Sequence, residues 1–73
     1  MSVVNERFPR VVRQLREARG WSQERLAEQA DLNRSYVGEI ERGSAIPSLM
    51  TADKLARALE LQLSALLARC EVS

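Results

Sequence analysis

The chain has 73 residues, one cysteine, no histidine and a formal net charge of +1, with 45% of its residues hydrophobic and 29% charged. That length allows one domain at most and buries only about 60% of the unfolded surface, while the apolar content excludes a disordered tail. Cys70 has no partner for an internal disulfide, a zinc site has no ligand set, and no apolar run approaches the roughly 20 residues of a membrane span or makes a secretory leader; a protein of the reducing cytoplasm is expected.

In chain order, Phe8, Val11, Val12, Leu15 and Ala18 recur at the spacing of one helical face and predict a first helix ending near Arg19, with Gly20 as its stop. Pro9 fits that helix's first turn. Ser22 is the N-cap of a second helix through Ala30 whose inward face is Leu26, Ala27 and Ala30; Glu24 sits in its positive first turn, and Trp21 is placed to staple onto it. Asp31-Leu32-Asn33 breaks the helix, because Asp tolerates the left-handed conformation, Leu32 can pin the corner and Asn33 caps a third helix. That third helix runs to about Arg42, with Val37 and Ile40 inward and Gly43 as its stop. After the Ala45-Ile46-Pro47 loop, Ser48 caps a fourth helix carrying Leu49, Ala52, Leu55, Ala56 and Leu59, and Ser64 caps a short fifth through Leu67. No segment reads as a strand, a repeat or a linker. The expected fold is all-α, a compact five-helix bundle forming one domain over residues 1–73.

Two helices joined by a turn of about three or four residues at a steep angle form a helix-turn-helix, whose second helix can enter a DNA major groove about 12 Å wide. Here that helix covers residues 34–42. Its first exposed turn offers Arg34, able to grip guanine O6 and N7, and Ser35, able to donate or accept; Glu39, one turn on, can accept from a cytosine amino group. Charge by itself decides little. Ten of the eleven basic residues are arginine, which suits phosphate and guanine but also forms helix well. Arg34 could instead pair with Glu39, Ser35 divides evenly between a base and solvent, and Arg10 and Arg13 could flank a duplex or line a solvated face.

The run from Leu15 to Leu61 resembles the DNA-binding domain of the lambda repressor and Cro class, often called Xre-like. The pieces that carry the resemblance are Leu15-Arg16, Ser22-Gln23 with Leu26-Ala27, Tyr36-Val37 with Ile40-Glu41-Arg42-Gly43, Pro47-Ser48-Leu49, and Leu55-Ala56 with Ala58-Leu59. The resemblance implies that Arg34, Ser35 and Glu39 read bases, that Gln23 touches a DNA phosphate and braces the recognition helix, and that Asn33, Tyr36 and Arg42 meet the DNA backbone. It also implies a partly buried ion pair between Arg16 and Glu41. Two departures stand out: Asp31 occupies a turn position where the family commonly has Gly, and Glu39 repels phosphate unless a cytosine or an arginine satisfies it.

The function implied is that of a transcriptional regulator binding a double-stranded operator as a homodimer, with two recognition helices about 34 Å apart on a pseudo-palindrome. Among small members of the class, the chain resembles the controller proteins of restriction-modification systems. No membrane, cofactor, metal or small-molecule ligand is implied, and RNA polymerase is left open as a further partner. Leu49, Met50, Leu63, Leu66 and Leu67 exceed what one small core needs and are candidates for the dimer interface, unless the fifth helix simply closes the bundle. An antitoxin of a toxin-antitoxin pair, or an adaptor that has kept the fold, are the alternatives. An enzyme is not expected: there is no Gly-rich phosphate loop or metal cluster, and Glu39 and Glu41 lie on different sides of one helix.

Overall fold

The computed structural model describes residues 3–71, which form the helices α1 (Val3–Ala18), α2 (Gln23–Ala30), α3 (Arg34–Glu41), α4 (Leu49–Ala58) and α5 (Leu63–Glu71). No strand occurs among the described residues. The α1 helix lies against α5 and α3, α2 against α3 and α4, and α4 against α5. The residues that fill the space between them are those the periodicity points inward: Phe8, Val12, Leu26, Ala27, Ala30, Val37, Ile40, Ala52, Leu55, Ala56 and Leu59. Among the described residues, no helix is long and apolar enough to cross a membrane.

Each short helix is bounded by local chemistry. The Ser22 hydroxyl accepts from Arg25 N–H at 3.0 Å, Asn33 Oδ1 from Ser35 N–H at 2.7 Å, and Ser48 Oγ from Thr51 N–H at 3.1 Å, so each cap satisfies an N–H with no helical acceptor. At the far end of α1, Gly20 takes φ 71° and Trp21 N–H reaches back to the Arg16 carbonyl at 3.2 Å, a left-handed closure that glycine adopts without strain. Asp31 closes α2 in the same way at φ 56°, with Leu32 N–H on the Ala27 carbonyl at 2.8 Å. Leu32 itself packs against the core.

The structure corrects several expectations. The α1 helix begins at Val3, so Pro9 stands in its middle rather than its first turn. The ring removes one backbone bond, yet the segment before it stays helical because Val4 packs against the core. Ala18 is exposed, which narrows the apolar stripe on α1. The α5 helix starts one residue before Ser64 and runs to Glu71 rather than Leu67; the Gln62 carbonyl accepts its first bond, from Leu66 N–H at 3.0 Å. Burial explains the extra turn, since Leu66 and Cys70 lie four apart on α5 and both are fully enclosed. Cys70 is therefore a core residue. Its Sγ donates to the Leu66 carbonyl at 3.4 Å, and burial, then the neighbouring Glu71 charge, push its pKa up.

A second non-glycine residue in the left-handed region, Glu60 at φ 60°, closes α4 without any turn signal in the sequence around it. Its carboxylate accepts from Arg19 Nη2 at 2.8 Å, the same nitrogen donates to the Leu59 carbonyl at 3.0 Å, and the Arg19 guanidinium lies 5.0 Å from the centre of the Trp21 ring. This clasp joins the α1–α2 corner to the α4–α5 corner. The two left-handed side chains generate a testable contrast. Asp31→Gly removes backbone strain without losing a tertiary bond and should raise stability by about 0.5 kcal/mol. Glu60→Gly relieves the same strain but forfeits the Arg19 contact, so its gain in urea midpoint should be the smaller of the two.

Candidate nucleic-acid interface

The α2–α3 corner presents one end of α3 to solvent. Arg34, Ser35, Glu39 and Arg42 are exposed on it, while Val37, Gly38 and Ile40 face inward. The exposed side chains line an open polar cleft of ≈ 270 Å³ together with Gln23 and Gly38. Arg34, Ser35, Glu39, Gln23 and Arg42 are thus brought to one place. Among the described residues, no ion pair joins Arg34 or Arg42 to an acid, Glu39 of the same cleft included.

Asn33 and Tyr36 sit beside this cleft rather than in its lining. The Asn33 side-chain oxygen is committed to its own helix cap, which leaves the amide NH₂ as the group able to meet a phosphate. Tyr36 is half-buried with its ring packed on the core. Arg10, Arg13 and Arg42 share a second groove between α1 and the end of α3, although Arg13 also pairs with Glu17 at 3.3 Å.

Behind the cleft lies the interaction that holds it. Arg16 Nε donates to Glu41 Oε2 at 2.8 Å, Nη2 to Oε1 at 3.0 Å, and Nη1 to the Trp21 carbonyl at 2.7 Å. Only 11% of the Arg16 side chain and 3% of Glu41's reach solvent. The bonds to Glu41 raise the Arg16 pKa further, so the guanidinium stays charged. Gln23 Nε2 donates to Glu41 Oε1 at 3.2 Å. This last bond joins the start of α2 to the end of α3, in keeping with the bracing that the resemblance implies for Gln23, although its Glu41 partner is not written in the sequence pattern.

The leucines assigned to a dimer interface divide. Leu49 and Met50 are 73% and 77% exposed and stand beside Ile46 at 75%. Leu63 and Leu67 are half-buried and pack on the core. Leu66 is fully buried within its own subunit, so the expectation that it faces a partner is corrected: its place on α5 points it at the bundle centre.

Residues 12–66 match the helix-turn-helix family HTH_3. The chain belongs to that family. It is 44% identical over 55 residues to the immunity repressor protein of Bacillus phage phi105, covering 75% of this chain and 38% of that protein. It is also 43% identical over 56 residues to control protein C.BamHI of Bacillus amyloliquefaciens, covering 75% of this chain and 69% of the relative. Among solved structures, the restriction-modification controller protein C.AhdI of Aeromonas hydrophila superimposes with a TM-score of 0.78 at 45% identity, over 88% of this chain and 94% of that one. These relatives are named as a repressor and as controllers, and the fold is shared with the solved controller C.AhdI.

The buried pair has a measurable consequence. Glu41→Ala strands the Arg16 charge and removes the acceptor of Gln23, and should cost roughly 3 kcal/mol in chemical denaturation. Replacing both partners with apolar residues, Arg16→Met with Glu41→Leu, should recover most of that loss.

Proposed function

We propose that this chain is a sequence-specific DNA-binding transcriptional regulator that acts in the cytoplasm as a homodimer on an inverted-repeat operator. The observation that carries the reading is the cleft on α3, where Arg34 and Arg42 lie exposed and unpaired on a helix held from behind by a buried ion pair. An α-helix is about 10–12 Å across with its side chains, which suits the roughly 12 Å width of a major groove. Arg34 would take guanine O6 and N7, Ser35 and Glu39 the neighbouring base edges, with cytosine N4–H the natural donor to Glu39. Gln23, Asn33, Tyr36 and Arg42 would fix the register on phosphates, and Gln23 has the added advantage of the positive end of α2.

Dimerisation is supported by the apolar surface at Ile46, Leu49 and Met50, which the subunit leaves uncovered. Two copies would set their α3 helices about one DNA turn apart. Control of a restriction-modification system is the favoured biological role, because the likeness to C.AhdI extends over 94% of that controller.

Selection of bound duplexes from a random pool tests the reading. An enriched inverted repeat is expected; a pool that never departs from random overturns sequence-specific binding. On the enriched site, Arg34→Ala should cost about 1 to 3 kcal/mol of discrimination at one guanine, whereas Gln23→Ala should weaken specific and random duplexes alike. Met50→Glu, at an exposed position, should leave the helices intact and shift sedimentation from dimer to monomer; a wild-type chain that sediments as monomer at high micromolar concentration contradicts the dimer.

A further inference from the structure

The reading helix carries a glycine in its interior, where helix propensity disfavours one. Gly38 is buried, and a Cβ built on it would stand 3.1 Å from Arg42 Nη1 and 3.5 Å from Gln23 Oε1. The reason for both approaches is geometric. Arg42 lies one helical turn later, and a helical side chain lies back over the turn that precedes it. Its guanidinium therefore lies so close that a Cβ at position 38 would push it aside by a few tenths of an ångström. Gln23 reaches the same spot from the start of α2, and its amide is oriented by donation from Nε2 to Glu41, so the oxygen is the atom turned toward Gly38.

We propose that the bare backbone at Gly38 is a positioning device: it seats the Arg42 guanidinium beside the Gln23 amide, so that the two together present donors to one DNA phosphate. The inference rests on the DNA-binding reading above and deepens it. Arg42 offers a planar fork of N–H groups and Gln23 keeps its second Nε2 hydrogen after serving Glu41. A phosphodiester oxygen is the acceptor that such a pair would suit. The chain gives up helix propensity at position 38, and what it gains is the placement of Arg42.

Stability and binding should therefore move in opposite directions on a single substitution. Gly38→Ala improves the helix and meets only the flexible tip of Arg42, so the thermal midpoint should rise by about 4 °C. The Cβ displaces the guanidinium, so the dissociation constant should rise about fivefold for both the selected site and a mixed-sequence duplex at the same low salt. In an Arg42→Ala background, Gly38→Ala should cause no further loss of binding while still raising the midpoint. A second arm leaves position 38 untouched: Arg42→Lys keeps the charge but not the fork, and should weaken binding by a similar factor. Wild-type binding by Gly38→Ala, an undiminished loss in the Arg42→Ala background, or wild-type binding by Arg42→Lys would each overturn the proposal. A wild-type chain that binds no duplex at low salt would overturn the DNA reading itself, and this inference with it.

Discussion

The Glu41 carboxylate has almost left water, and a charge in that position must be answered from within the protein. Arg16 answers it with two N–H groups and gives a third to the Trp21 carbonyl, while Gln23 supplies one more donor. Four segments meet at this point: α1, the turn after it, the first residue of α2 and the last residue of α3. Apolar burial between Leu26, Val37 and Ile40 holds these helices together but carries no direction. The hydrogen bonds do, and they fix how α3 is presented. A lysine at position 16 would supply a single point charge where the geometry calls for a planar fork.

The helices that form the proposed DNA face are too short to persist alone. The α2 and α3 helices have eight residues each, well below the roughly 12 to 15 at which isolated helices become even marginal in water. Their ends accordingly carry much of the organisation. Serine or asparagine caps start α2, α3 and α4, and left-handed residues close α1, α2 and α4 by letting the N–H of the residue that follows each of them reach back to a carbonyl five residues before it. Rigidity at the corner results from these closures together with the buried pair, and it leaves the exposed turn of α3 free to differ in sequence without disturbing its mounting.

The starts of α2, α3 and α4 were legible because Ser22, Asn33 and Ser48 are caps whose side chains act on neighbours two or three residues away. Local chemistry of that range is written in the chain itself. The beginning of α1 and the length of α5 were not, since they depend on Val4, Leu66 and Cys70 meeting residues distant in sequence. Leu66 shows the limit well: nothing in the spacing of leucines on α5 separates the one that completes the core from those that could face a partner. The gathering of Arg34, Ser35 and Glu39 on one exposed surface comes from helical periodicity. The contributions of Gly38 and of the Gln23–Glu41 bond do not, because each exists only where two helices come within a few ångströms.

Trp21 is the one tryptophan of the chain, and its surroundings make it an optical reporter of a particular place. Its carbonyl is gripped by Arg16 and its ring lies against Arg19, so its emission senses the junction between α1 and α2 that supports α3. Among the described residues, no hydrogen bond or cation–ring contact links α5 to either group. Fluorescence and far-ultraviolet dichroism thus watch different parts of the same small bundle: the first tracks the mounting of α3, the second every helix at once. Coincident transitions would mean that the mounting and the terminal helix melt as a single cooperative unit.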